Sequence, residues 1–347
     1  MKSLLRLLLK TQHQRNRFDP AQTEKGMTLV ELLVGAVMAF LIITPMLGFV
    51  VDMLNTDRRE QVKSNTEQDI QAAVDFIAQD LSQAIYIYDG AGITAISNPN
   101  QLPAAPQNTT GTPILVFWKR QQIKNAVPIN SAIKPQKCDD VANVNKCNDT
   151  YVLSLVAYYQ IKETDPKSIW CQPSGGTCPT RIARYEIRDG VRKPDPVAGD
   201  TNPPYYNVND TKDTQQPDPA FNKDFDFTKP TEKVTLPAGL TKAKNPEVLV
   251  NYIDHSQGPV LSPCTTALGN PTDPKTKTAL SEQTVKVTDP NTNSFYACVD
   301  TSKNLARVTI RGNSLRRLQT DANYDANKSA FFPTASVQVQ GLGAVGK

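Results

Sequence analysis

Leu32 to Val51 is a run of 20 residues without Asp, Glu, Lys or Arg. A helix rising about 1.5 Å per residue carries a run of that length across the roughly 30 Å hydrocarbon layer of a bilayer. The segment therefore reads as a membrane span, and the rest of the chain must fold around that constraint. Residues 1–26 hold Lys2, Arg6, Lys10, Arg15, Arg17 and Lys25 against only Asp19 and Glu24. This basic excess is expected to keep the N-terminal end in the cytoplasm. The C-terminal bulk then lies on the far side of the inner membrane.

Just before the run stands Gly26-Met27-Thr28-Leu29-Val30-Glu31. An ordinary secretory signal is cut after its apolar segment, in a small-residue context, and loses that segment. No such site follows Val51. A cut between Gly26 and Met27 removes the basic leader alone, keeps the apolar helix and exposes a free α-amine on Met27. Glu31 is the one acid at the head of the span. An ionisable group at the centre of a membrane helix costs roughly 2.5 to 3.5 kcal/mol and normally has a partner and a function. The cost is smaller near the membrane edge, where a carboxylate can also snorkel to the interface. The partner expected for Glu31 is the Met27 α-amine of a neighbouring subunit, an attraction several-fold stronger in a low-dielectric setting than in water. Pro45 removes one helical hydrogen bond inside the span, so a kink or local melting is expected there, aided by Gly48.

Beyond the span Val62, Thr66, Ile70, Ala73, Val74, Ile77, Leu81, Ala84 and Ile85 recur at steps of three and four, which predicts an amphipathic continuation of the same helix to about Tyr88. No Gly or Pro interrupts residues 55–88. Strands are expected at 114–119, 151–161, 181–188, 248–253, 295–299, 306–311 and 336–340, where β-branched and aromatic residues cluster between polar loops. One antiparallel sheet against the helix gives an α+β fold. The expected organisation is a removable leader over 1–26, a membrane and assembly helix over 27–54, its amphipathic continuation over 55–89, and a β-rich globular domain over 90–347. That domain carries a proline-rich insertion over 193–239, expected as an extended surface excursion because proline disfavours regular helix and central strand.

The segment from Gly26 to about Met53 resembles the prepilin-like proteins, meaning type IV pilins and type II secretion pseudopilins. The resemblance implies a long N-terminal helix packed on an antiparallel sheet, cleavage after Gly26 by a prepilin peptidase, N-methylation of Met27 and a role for Glu31 in assembly. Family members more often begin with Phe where this chain has Met27. Asp75-Phe76-Ile77-Ala78-Gln79-Asp80-Leu81-Ser82-Gln83-Ala84 is similar to the helix ending of the J-type pseudopilin and W-type minor pilin branch. Val156-Ala157-Tyr158-Tyr159 with Ile182-Ala183-Arg184-Tyr185 is similar to its central strands. Arg307-Val308-Thr309-Ile310 and Ala335-Ser336-Val337-Gln338-Val339 are similar to its closing strands. The large cysteine-bearing domain resembles most the pseudopilins of cyanobacterial hormogonium polysaccharide secretion, the C-type in particular.

All six cysteines, Cys138, Cys147, Cys171, Cys178, Cys264 and Cys298, follow the span, where an oxidising compartment permits disulfides. Sequence alone does not choose among the pairings; the local set, Cys138 with Cys147, Cys171 with Cys178 and Cys264 with Cys298, is the expectation. Zinc is a poor rival, given the spacings and two histidines in the chain. Asp210, Asp213, Asp218, Asp224 and Asp226 are oxygen-rich but lack EF-hand spacing and read as solvated loop acids. His13 lies in the leader. His255, between Asp254 and Ser256, is adjacent to them in sequence rather than gathered from separate elements as a triad is, and reads as a loop histidine. No catalytic residue, metal or cofactor is expected.

Loss of the leader leaves 32 basic and 32 acidic residues, a balance that provides no general attraction for nucleic acid. Arg307, Arg311, Arg316 and Arg317 form a local cluster that reads as ordinary surface charge. The expected role is structural: a subunit of a pilus-like or secretion filament supporting polysaccharide export and gliding. The alternatives are a minor pilin for twitching or DNA uptake, or a binding module carried on a pilus. The partners implied are prepilin peptidase, the major pilin, other minor pilins or pseudopilins, the inner-membrane assembly platform and inner-membrane lipid.

Overall fold

The structure, a computed structural model, describes residues 28–97, 102–143, 145–194, 204–221, 246–259 and 262–342. The leader, Gly26 and Met27 lie outside the described residues, as do most of the proline-rich insertion and Asp224 and Asp226 within it. Two compact units divide the chain, residues 1–57 and 58–347, and helix α1 (Leu29–Ser82) contributes to both.

In the first unit α1 is exposed throughout residues 29–57. It is the one helix among the described residues long and apolar enough to cross a bilayer. A kink or local melting is expected at Pro45; the helix is continuous through it, so the helix does not melt there. Proline removes one bond from the ladder, and the flanking residues keep the helical path.

In the second unit α1 buries Thr66, Ile70, Ala73, Val74, Ile77, Asp80 and Leu81, the stripe read from the spacing. The helix is shorter than expected. It ends at Ser82, and Ala84 and Ile85 belong to strand β1 (Ala84–Ile87). Residues 84–88 read Ala-Ile-Tyr-Ile-Tyr, which suits a strand as well as a helical stripe. Pairing with β2 decides between them, through Tyr86 opposite Trp118 and Ile87 opposite Phe117. Gly90–Ser97 then forms a second helix, α2, where only strands and loops were expected.

The sheet is two sheets. The first has the order β1-β2-β3-β4-β5, with β2 at Thr109–Pro128, β3 at Cys147–Glu163, β4 at Thr180–Arg188 and β5 at Glu247–Ile253. The second has the order β6-β7-β8-β9, with β6 at Lys286–Thr288, β7 at Phe295–Asp300, β8 at Leu305–Arg311 and β9 at Thr334–Gln340. Every pairing is antiparallel. Strands β1 and β6 were missed; each is short and gains its place from a neighbour. Pro113 sits at an irregularity in the β2–β3 register, where a missing N–H is tolerated.

The sheets meet where Ile253 bridges Gly312 and Asn313 N donates to Tyr252 O (2.8 Å). Helix stripe and both sheets share one core, with Ile70, Ile77 and Leu81 against Phe117 and Tyr158 from one sheet and Phe295 and Val308 from the other. Full burial of each such side chain contributes about 1.5–3 kcal/mol. The described part of the proline-rich insertion corrects the expectation of a surface excursion. Ala220 and Phe221 are buried in that core, and the Phe221 ring meets Trp118 edge-on at 6.1 Å.

Candidate functional site

The sequence directs attention first to the head of α1. Thr28 is its N-cap, and Leu32 N donates to Thr28 O (3.2 Å). Glu31 Oε2 accepts from both Thr28 N and Thr28 Oγ1, each at 3.3 Å, while Glu31 N donates to Thr28 Oγ1 at 3.3 Å. This is a capping box, Thr-x-x-Glu, in which two otherwise orphaned donors are satisfied reciprocally. Sequence reasoning assigned Glu31 to an intermolecular pair and overlooked this local role, although the Thr28/Glu31 spacing was legible. One carboxylate oxygen, Oε1, keeps no hydrogen bond among the described residues, so the capped acid still has a free face. Below it the helix presents Leu29 (83% exposed), Phe40 (73%) and Phe49 (70%) with no protein cover. Contiguous apolar surface on this scale marks a membrane or protein contact.

A second constellation lies inside the globular unit. Asp80, from the last turns of α1, receives Lys119 Nζ at 3.0 Å from β2, Tyr158 Oη at 2.7 Å from β3 and Arg184 Nε at 2.7 Å from β4. Glu186 closes the group, 3.3 Å from Lys119 Nζ and 2.8 Å from Arg184 Nη2. Burial works against the charge on Asp80, but the bond from Arg184, the Lys119 charge and the Tyr158 hydroxyl outweigh it and hold the carboxyl below its ordinary range. Glu186 is lowered in the same way, with burial opposed by Lys119 and Arg184. Two acids and two bases thus lock the helix to three neighbouring strands at one register. Asp80 falls on the buried stripe, three residues after Ile77, so its burial was legible in the spacing and was overlooked, whereas its partners on three distant strands were not legible.

The cysteines close as three disulfides, Cys138–Cys147, Cys171–Cys178 and Cys264–Cys298. The first ties the long β2–β3 connection to the start of β3, the second closes the β3–β4 connection, and the third holds the turn at Cys264 to β7. Arg316, fully buried, fills the second of these loops. Its guanidinium donates to Thr177 O at 2.8 Å, Pro173 O at 3.0 Å and Gly175 O at 3.1 Å.

Arg311 is buried too, with Nε 2.9 Å from Asp254 Oδ2 and Nη1 2.8 Å from Pro259 O. The cluster read as surface charge is therefore not a surface patch, because these two members are consumed inside the fold. Asp254 also accepts from Ser256 Oγ at 2.7 Å, whereas His255 Nε2 meets Asn323 Oδ1 at 3.1 Å. Asp254 and Ser256 bond to each other while His255 turns to Asn323, so the three form no relay. His255 is buried rather than a solvated loop residue, and that burial lowers its pKa.

Among the loop acids, Asp210 Oδ1 pairs with Lys134 Nζ at 2.6 Å, and Asp218 Oδ2 accepts from Arg188 N at 2.8 Å. No cluster of three metal-ligating side chains occurs among the described residues. A cleft of about 330 Å³ opens where β5 stops beside β4, lined by Gln121, Arg184, Glu186, Arg188, Asp218 and Glu247 among others. Within it Gln121 Oε1 and Arg188 Nε are buried without a hydrogen-bond partner.

No protein-family model, curated protein or solved structure matches this chain. What stands is the layout: a long N-terminal helix, largely apolar and uncovered in its first half, whose second half packs on antiparallel sheets in an α+β unit. That layout is pilin-like.

Proposed function

We propose that this chain is a minor pilin or pseudopilin, an inner-membrane precursor cut between Gly26 and Met27 and inserted through α1 into a pilus-like or secretion filament. The observation that carries the reading is the contrast within α1. Residues 29–51 form an exposed apolar surface headed by one acid, and residues 66–81 are built into the globular core. Such a helix anchors a monomer in lipid and, in a filament, exchanges lipid for the apolar helices of neighbours. Glu31 then serves twice. It caps its own helix in the monomer, and its free oxygen receives the Met27 α-amine of an adjacent subunit in the assembly. The partners follow from this: prepilin peptidase, the major pilin and other minor pilins, the assembly platform and membrane lipid. The function within the filament is support of polysaccharide export and associated gliding.

The test separates the two roles of Glu31. Gln retains a side-chain acceptor for the Thr28 cap but has no charge, whereas Ala removes both. N-terminal sequencing of membrane-extracted protein is expected to begin at Met27, and both Glu31→Gln and Glu31→Ala are expected to abolish incorporation into filaments. A chain still starting at Met1 in cells with an active processing enzyme sinks the proposal. Full assembly of Glu31→Gln would leave the cap alone as the role of the acid.

The cleft beside β4 favours a second reading, a binding module carried by the filament, because two of its buried polar atoms lack intramolecular partners. Export normal in a Gln121→Ala/Arg188→Ala variant, with loss of surface attachment, would support that role.

A further inference from the structure

The four outer strands of the two sheets are not protected alike. Strand β1 has four residues and a register shift, and its Ala84 O accepts from Leu342 N at 2.8 Å. Strand β5 pairs with shifts, and β6 has three residues including Lys286. Strand β9 has none of these devices. It is seven residues long, Thr-Ala-Ser-Val-Gln-Val-Gln, uncharged, free of proline and paired to β8 without a shift. Natural sheet edges of this kind are normally blunted by charge, proline or a bulge.

The direction of its free backbone groups is fixed at both ends. Gly312 N donates to Pro333 O and Gly341 N to Asn304 O, both at 2.9 Å. Bonded and non-bonded pairs alternate in an antiparallel ladder, so with the observed register Ala335, Val337 and Val339 turn their backbone toward β8. Thr334, Ser336, Gln338 and Gln340 therefore aim N–H and C=O away from the sheet. None of these outward groups has a backbone partner among the described residues.

We propose that β9 is a docking edge and that its occupant is β9 of a second copy of this chain, antiparallel about a two-fold axis at Val337. The sequence of the strand is what selects a second copy. About that axis Val337 faces the partner's Val337, Ala335 faces the partner's Val339, Ser336 faces the partner's Gln338 and Thr334 faces the partner's Gln340. Each apolar residue meets an apolar one and each polar residue a polar one, with no like charges opposed. The side chains of Ala335, Val337 and Val339 already rest against the main core, so the apolar face runs on across the axis. About eight ladder hydrogen bonds form, as expected for four bonded pairs, and the interface is isologous. The inference goes beyond the filament reading and does not depend on it.

The register makes the test specific. Residue 337 is a non-bonded pair in the new ladder, where opposed Cα atoms lie close enough for a disulfide. The native cysteines offer no competing thiol. Full-length protein in mild detergent carrying Val337→Cys is expected to oxidise to a covalent dimer. Ala335→Cys, whose counterpart is the partner's Val339, is expected to yield at least tenfold less. Gln338→Pro removes only an outward N–H and leaves the β8 ladder whole, so light scattering is expected to show a dimer for the wild type and a monomer for this variant. A wild-type monomer, a Gln338→Pro dimer, or equal cross-linking of Val337→Cys and Ala335→Cys overturns the proposal. The cross-linking arm stands even if the proline variant proves unstable.

Discussion

Replacing Asp80 by Asn removes one negative charge from the group that fastens α1 to β2, β3 and β4. Asn can still accept from Arg184 or Tyr158, but its amide turns a donor toward Lys119, which then loses its 3.0 Å partner. Breaking one side of a buried ion pair costs about 3–5 kcal/mol. Glu186 remains beside both cations, at 3.3 Å and 2.8 Å, so the loss is expected at the lower end, about 3 kcal/mol. For a unit spanning residues 58–347 that corresponds to a fall in melting temperature of about 5 °C. Denaturant unfolding of the full chain in detergent, followed by the fluorescence of buried Trp118, measures it. Lys119→Met in the Asp80→Asn background is expected to recover part of the loss by removing the stranded cation. A cost below about 1 kcal/mol for Asp80→Asn, with no recovery in the double variant, would refute the claim that this charge group registers the helix on the sheet.

Gly312 lies where the helix crosses the junction of the sheets, and a Cβ there would meet Ile70 Cδ1 at 2.2 Å and Thr66 Cγ2 at 2.9 Å. Gly312→Ala is therefore expected to cost about 1–3 kcal/mol by overpacking, and Ile70→Val, which deletes the clashing methyl, to return part of it in an unfolding titration. Replacing Cys264 and Cys298 by Ser opens a loop of sequence separation 34 and is expected to cost about 3–4 kcal/mol, against about 2–3 kcal/mol for the Cys171–Cys178 pair at separation 7. Equal losses in thermal unfolding would contradict the loop-length argument. Acid is expected to act in two stages. His255 is held neutral by burial, so stability is present above the ordinary histidine range and declines as pH falls below about 6.5, when the unfolded chain protonates first. Asp80 and Glu186 have lowered pKa values, so their contribution persists to about pH 4 and is lost below it. His255→Asn removes the upper stage alone, as read by melting temperature against pH.

Local periodicity is the signal that survives without a structure, and it accounts for what was legible. The uncharged run from Leu32, the three-and-four spacing from Thr66 to Leu81 and the alternating strands each depend on neighbours within a few residues. The long apolar helix, the buried stripe and most of the strands could therefore be read from the chain. The Thr28/Glu31 cap belongs to the same local class and was overlooked, not hidden. Ala84 to Ile87 is different, because its pattern fits two periods and pairing with β2 chooses one. Arg311 and Arg316 look like any surface cations until Asp254 and the carbonyls of the Cys171–Cys178 loop surround them. Asp80 lies on the legible stripe, but the cations that hold its charge come from strands far away in sequence. Burial, partner and charge state are properties of contacts between residues far apart in sequence, so the division into two sheets, the ionic lock and the open edge of β9 emerge only when those distant segments are brought together.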